Sequence, residues 1–122
     1  MARILIAEDD PTSLELLKGR LQEWGHDVLP AADGAEALRG LEGTRVDLVI
    51  SDWKMPRVDG LELCRLLKGA EATRELPFIM LTTKKDSAAR DAALENGADE
   101  YITKPFDRNA LLAAIERLTP DS

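Results

Sequence analysis

The sequence predicts an α/β fold: a five-stranded parallel sheet with helices on both faces. Three observations predict it. Short apolar runs alternate with longer segments whose apolar residues recur at steps of three and four, five times over in 122 residues. Capping residues and glycines punctuate the longer segments. Strict alternation of strand and helix calls for crossover connections, which make the sheet parallel and cover both of its faces. A chain of 122 residues fits one domain.

Ile4 to Ala7 is an apolar run that stops at Glu8, Asp9 and Asp10, the pattern of a buried strand. Leu14, Leu17, Leu21 and Trp24 form the stripe of the first helix, opened by Pro11 and Thr12 and closed by Gly25. Val28 and Leu29 mark a second strand, which Pro30 is expected to cut off. Asp33 caps a helix containing Ala37, Leu38 and Leu41, and Gly43 ends it. Val46 to Ser51 reads as the third strand, followed by a loop from Met55 to Gly60. The third helix turns Leu63, Leu66 and Leu67 inward. Pro77 starts a fourth strand over Phe78, Ile79, Met80 and Leu81. Asp86 to Asn96 is an alanine-rich helix stopped by Gly97, and its Arg90, Asp91 and Glu95 read as a solvated face. Tyr101 and Ile102 mark the fifth strand, and Asp107 opens a last helix with Leu111, Leu112, Ile115 and Leu118 inward. Right-handed crossovers leave few windings, of which the flavodoxin-like order 2-1-3-4-5 is a common one.

Composition excludes several classes. There are 23 Asp and Glu against 16 Lys and Arg, a net charge of −7, and the basic residues are scattered. That argues against a stand-alone nucleic-acid-binding domain. Cys64 is the only cysteine, so no internal disulfide forms, and the chain reads as cytoplasmic. No apolar run approaches the roughly 18 residues of a membrane span. The start, Met1-Ala2-Arg3-Ile4-Leu5, lacks a signal-peptide pattern.

The chemistry lies in the polar residues just past each strand. Glu8 and Asp9 come after the first, Asp52 after the third, Thr82 and Thr83 after the fourth, and Lys104 after the fifth. Ligands of open parallel sheets bind beyond the carboxyl ends of the strands, where strand order reverses. In order 2-1-3-4-5 that point lies between strands one and three, so Glu8, Asp9 and Asp52 are expected to converge. Like charges about 4 Å apart repel by roughly 4 kcal/mol at an effective dielectric near 20. Such a cluster binds protons or holds a cation. Oxygen donors without histidine or thiolate favour Mg²⁺ or Mn²⁺. A carboxylate is itself a nucleophile for a phosphoryl group, and a lysine and a threonine hydroxyl suit the new phosphoryl oxygens.

These segments together resemble response-regulator receiver domains, including the single-domain chemotaxis regulators. The carrying stretches are Ile4-Leu5-Ile6-Ala7-Glu8-Asp9-Asp10-Pro11, Ser51-Asp52-Trp53-Lys54-Met55-Pro56 with Asp59-Gly60, Leu81-Thr82-Thr83, and Gly97-Ala98-Asp99 through Lys104-Pro105-Phe106. The resemblance implies a receiver domain over residues 1–119 and a short polar tail over 120–122. It implies that Asp52 accepts the phosphoryl group. It implies Mg²⁺, with Mn²⁺ as an alternative, held by Glu8, Asp9, Asp52 and the backbone carbonyl of Lys54. Thr82 is then the hydroxyl that moves toward the phosphoryl group, Tyr101 the aromatic switch and Lys104 the phosphate-binding lysine, with a cis bond to Pro105. The implied partners are a histidine kinase or phosphotransfer protein and an output partner on the fourth-helix, fifth-strand and fifth-helix face. Homodimerisation on phosphorylation is a further option of that face; direct nucleic-acid or membrane contact is not expected. No effector domain comes after Leu118 here, which leaves a stand-alone regulator and a receiver from a longer one both open.

Three features depart from the commonest pattern. Glu8 stands where Asp is frequent, and Thr83 where a smaller residue is usual. Lys54 and Lys84 each lie two residues beyond a key position and add positive charge at the rim, where they bear on the lifetime of the phosphoryl group. Trp53 is read as packing and as a fluorescent reporter beside Asp52, with Trp24 adding background. His26 has no partner in the sequence pattern, and Cys64 reads as packed. Two other readings fit less well. An aspartyl-phosphate hydrolase of the haloacid dehalogenase type carries an acid two residues after its nucleophile, and here that position is Lys54. A nucleotide or flavin site needs a glycine-rich loop after the first strand, where this chain has Glu8-Asp9-Asp10-Pro11. A degenerate receiver that only docks is the remaining alternative.

Overall fold

The computed structural model describes residues 1–120; of the expected tail, Asp121 and Ser122 lie outside the described residues. The elements are β1 (Arg3–Ala7), α1 (Pro11–Glu23), β2 (Asp27–Ala31), α2 (Gly34–Gly43), β3 (Leu48–Ser51), α3 (Gly60–Gly69), β4 (Phe78–Thr82), α4 (Ser87–Glu95), β5 (Glu100–Thr103) and α5 (Arg108–Leu118). All strand pairs are parallel, and the order is β2-β1-β3-β4-β5, as the sequence predicts. The register sets Ala7 beside Ser51 and Thr82 beside Thr103. No helix among the described residues is long and apolar enough to cross a membrane.

Strand alternation sorts the core into two layers. Leu5, Ala7, Val49, Phe78, Met80 and Tyr101 point to the α2–α3–α4 side, where they meet Ala37, Leu63, Cys64, Leu67 and Ala93. Ile4, Ile6, Leu48, Ile50, Ile79 and Leu81 point to the other side, against Leu17 and Leu21 of α1 and Leu111 and Ile115 of α5. A side-chain period of two feeds both layers from one strand, so each strand is continuously apolar.

Every helix begins on an aspartate. Asp10, Asp33, Asp59, Asp86 and Asp107 accept the backbone N–H of Ser13, Glu36, Glu62, Ala89 and Ala110 respectively. Such a cap is worth about 1 kcal/mol over alanine. These helix starts all come after the carboxyl ends of the strands. Five acids at that edge are therefore committed to caps, which separates them from Glu8, Asp9 and Asp52.

Four local expectations are corrected. Pro30 lies inside β2 rather than ending it, opposite Ile6. β2 is an edge strand, and the Asp27 N–H and Ala31 carbonyl are the groups that face β1. The nitrogen of Pro30 therefore faces the open edge, where no donor is required. β3 begins at Leu48 rather than Val46; Asp47, just before it, accepts the Arg3 N–H on its carboxylate at 2.8 Å and donates its own N–H to the Arg3 carbonyl at 2.7 Å. Leu66 is 43% exposed, and Cys64 takes the inward position on α3 beside Leu63 and Leu67. Burial pushes the Cys64 thiol up to about 11, the behaviour of a packed rather than a reactive cysteine.

His26 does have a partner: its Nδ1 accepts the Ala2 N–H at 3.0 Å. Burial, then the nearby terminal amine, lowers its pKa. The folded state thus binds this proton less readily than the unfolded chain, and stability falls as pH drops below the ordinary value of 6.5. Urea unfolding is expected to show a lower midpoint at pH 5.5 than at pH 7.5, with a smaller difference in a His26→Asn variant; equal differences would contradict it.

Candidate active site

The register of β1 and β3 places Glu8 and Asp52 side by side. The Asp52 N–H donates to the Ala7 carbonyl at 2.9 Å, and the Glu8 N–H donates to the Ala31 carbonyl at 3.0 Å. Both residues thus extend their ladders by one step, which fixes their backbones before any side chain acts. The Lys104 N–H likewise donates to the Thr82 carbonyl at 2.8 Å, carrying the end of β5 onto the end of β4. The peptide bond from Lys104 to Pro105 is cis, as the resemblance implies.

Three side chains meet there. The Lys104 ammonium donates to Glu8 Oε1 and, at 3.1 Å, to Asp52 Oδ2. Asp52 Oδ1 accepts the Trp53 N–H at 2.6 Å, and Glu8 Oε2 accepts the Asp10 N–H at 3.2 Å. The Glu8 carboxyl is buried, and burial raises its pKa; Asp52 pushes the same way, while Lys104 and the Asp10 N–H pull it down. Burial works against the Lys104 ammonium too, but the Glu8 hydrogen bond and the charge of Asp52 outweigh it and raise its pKa.

The expected convergence of three carboxylates is only partly met. Glu8 and Asp52 come together, with Lys104 joined to both, whereas Asp9 is exposed. Among the described residues, no three histidine, cysteine, aspartate or glutamate side chains cluster as a metal site. A lysine ammonium holding both carboxylates offsets part of the repulsion that the sequence pattern assigns to a cation.

Thr82 is buried at the end of β4, with its Oγ1 3.4 Å from the Lys84 N–H. Tyr101 is also buried, and its hydroxyl donates to the Lys84 carbonyl at 2.8 Å. Burial, then Asp86 and Asp52, raises the pKa of that hydroxyl. The Lys84 ammonium lies over the Trp53 ring, 5.1 Å from its centroid. Lys84 thus touches Thr82, Tyr101 and the residue after Asp52. Thr83 and Lys54 are exposed, as are Arg90, Asp91 and Glu95 of α4.

The family model described as Response regulator receiver domain matches residues 4–116. This chain belongs to that family. The receiver has 44% identity to the signal receiver domain of a signal transduction histidine kinase from Syntrophus aciditrophicus, with a TM-score of 0.91 over 98% of this chain and 91% of that one. It has 31% identity and a TM-score of 0.89 to the receiver domain of sensor histidine kinase PA1611 from Pseudomonas aeruginosa PAO1, which has a magnesium ion coordinated in the active site cleft; 98% of each chain is covered. Among curated proteins it is 36% identical to the DNA-binding dual master transcriptional regulator RpaA of Synechocystis, over 97% of this chain and 49% of RpaA. The receiver spans about half the length of the curated relatives it matches.

Receivers of two-component response regulators work by Mg²⁺-dependent phosphotransfer, pair with histidine kinases and are not generally classed as enzymes. The donors present in this receiver suit such an ion. Glu8 and Asp52 offer carboxylate oxygens whose two charges exceed the single charge of Lys104, and the exposed Asp9 is next to Glu8 in the chain.

Sequence reasoning missed Arg57, which pairs with the buried Asp33, and the contact of Lys84 with Trp53. Both join loops at the carboxyl edge that are distant in sequence. Strand order finds the second, since it sets the loops after β3 and β4 side by side; the first joins the loops after β2 and β3, which β1 separates in the sheet.

Proposed function

We propose that Asp52 is the phosphoacceptor of this receiver, with Lys104 and Thr82 as its partners and Tyr101 as the switch. The observation that carries the reading is the Lys104 ammonium, joined to both Asp52 and Glu8 at the carboxyl edge of the sheet. An Asp52 carboxylate oxygen attacks the phosphorus of a phosphohistidine. The P–N bond breaks, its electron pair returns to the imidazole, and an acyl phosphate forms on Asp52. Lys104 then binds the new phosphoryl oxygens with a charge-assisted hydrogen bond, and the Thr82 hydroxyl approaches them. Glu8, Asp9, Asp52 and the Lys54 carbonyl would hold Mg²⁺, or Mn²⁺, which neutralises charge on the transferred group. Return of Asp52 to the free carboxylate is self-promoted hydrolysis, with no separate substrate.

Movement of Thr82 alters the Lys84 backbone that receives the Tyr101 hydroxyl, so Tyr101 and the face of α4, β5 and α5 change together. This is a population shift between two conformations of the free chain. An output partner, or a second copy of the phosphorylated receiver, reads that face in the cytoplasm. Direct nucleic-acid contact is not part of this reading, because this chain carries a net charge of −7. The name of RpaA belongs to a protein of about twice the length. The exposed Lys54 and Lys84 act on the lifetime of the phosphoryl group, and an unchanged dephosphorylation rate in both alanine variants would exclude that role.

The test is intact mass after incubation with Mg²⁺ and a small acyl-phosphate donor. One added phosphoryl group, absent with EDTA and absent from Asp52→Asn, is the expected result. No addition under any condition, from a small donor or from a cognate kinase, would support the docking-only alternative.

A further inference from the structure

We propose that Asp33 and Arg57 form a latch that positions the β3–α3 loop, and with it the Lys54 carbonyl, for cation binding. This rests on the role proposed for the Lys54 carbonyl. The loop from Trp53 to Asp59 is held at both ends by backbone contacts that leave no space. At one end the Gly60 N–H donates to the Trp53 carbonyl at 2.7 Å, and a Cβ on Gly60 would lie 2.1 Å from the Asp52 carbonyl oxygen. At the other end the Gly34 N–H donates to the Val58 carbonyl at 3.1 Å, and a Cβ on Gly34 would lie 2.3 Å from that oxygen. The start of α2 is therefore pressed against Val58, in the loop that also carries Trp53 and Lys54.

The latch sits beside that contact. Asp33 is 1% exposed, an unusual location for a carboxylate. One oxygen caps α2 by accepting the Glu36 N–H at 2.8 Å, and the other accepts the Arg57 guanidinium. A cap needs only one acceptor, and asparagine serves there as well as aspartate. The second oxygen and its charge are thus available to Arg57, 24 positions away. Arg57 in turn has a φ of +67°, a conformation that non-glycine residues adopt at a cost. Its side chain is 65% exposed and its guanidinium end reaches the buried carboxylate. Residues that fix a ligand from behind weigh on metal affinity, with losses of tenfold or more when removed.

The experiment uses Trp24→Phe as background, which leaves Trp53 as the sole tryptophan. Mg²⁺ is titrated by Trp53 fluorescence, with urea unfolding and amide exchange of residues 53–59 measured beside it. Asp33→Asn and Arg57→Gln are each expected to weaken Mg²⁺ about tenfold and to speed exchange in the loop. The double variant is expected to lose no more than either single one, the signature of a pair acting together. Unchanged Mg²⁺ affinity in both single variants, even with a lower urea midpoint, would overturn the latch alone and leave a structural pair. Independent, multiplying losses would also overturn it. No Mg²⁺ response in the background chain, with Asp9→Asn indistinguishable from it, would overturn the cation reading and the latch together.

Discussion

Replacing Lys104 with methionine is expected to slow phosphoryl incorporation from a small donor about a hundredfold, the scale of losing one preorganised electrostatic partner. Methionine keeps the length of the side chain and removes its charge. The backbone of residue 104 is tied to β4 by its N–H on the Thr82 carbonyl at 2.8 Å, so the chain stays folded. The loss is confined to the ammonium that joins Asp52 and Glu8. In the free chain this leaves two neighbouring carboxylates, and the buried Glu8 takes up a proton more readily. In the reaction it leaves the transferred oxygens without a fixed cation from the protein. Quenched time points read by intact mass at saturating Mg²⁺ give the initial rate. A rate within threefold of the unaltered receiver would mean that Lys104 is a structural ion pair only.

Gly60→Ala is expected to damage fold and site together. The added Cβ would meet the Asp52 carbonyl oxygen at 2.1 Å and the Trp53 Cα at 2.9 Å. Both are backbone atoms, so no side chain swings away, and the phosphoacceptor's own peptide must shift. Overpacking of this kind costs about 1–3 kcal/mol. Incorporation at Asp52 should fall even where the variant is fully folded. Gly19→Ala is the control: Gly19 lies in α1 with nothing within 4 Å of its Cβ position. There the helix propensity of alanine should raise stability by up to about 1 kcal/mol. Urea midpoints of opposite sign check the pair, and equal midpoints would contradict it.

The alternation of strands and helices and the edge that carries the chemistry are legible in the sequence because both rest on local signals. An apolar run, a polar stop and a capping aspartate are each read within a few residues, and Glu8, Asp52, Thr82 and Lys104 each stand at the end of such a run. The sharing of Lys104 between Glu8 and Asp52 is not legible, since 96 and 52 positions separate the partners. Pro30 misleads because its tolerance depends on β2 lying at an edge, a property of the sheet rather than of the segment. Leu66 misleads because helical spacing allows several faces, and packing selects the one holding Leu63, Cys64 and Leu67. His26 looks unpartnered because its partner is a backbone N–H, which no side-chain pattern announces.

The identity of the phosphoacceptor can be read by chemical mapping. The receiver is phosphorylated with Mg²⁺ and a small acyl-phosphate donor, then reduced with borohydride, which converts an aspartyl phosphate to homoserine. Peptide mass spectrometry locates the product. Homoserine is expected at position 52 alone, dependent on Mg²⁺ and missing when the donor is left out. Homoserine at position 9, or a phosphoryl group on Thr82 or Thr83 with Asp52 unchanged, would contradict it.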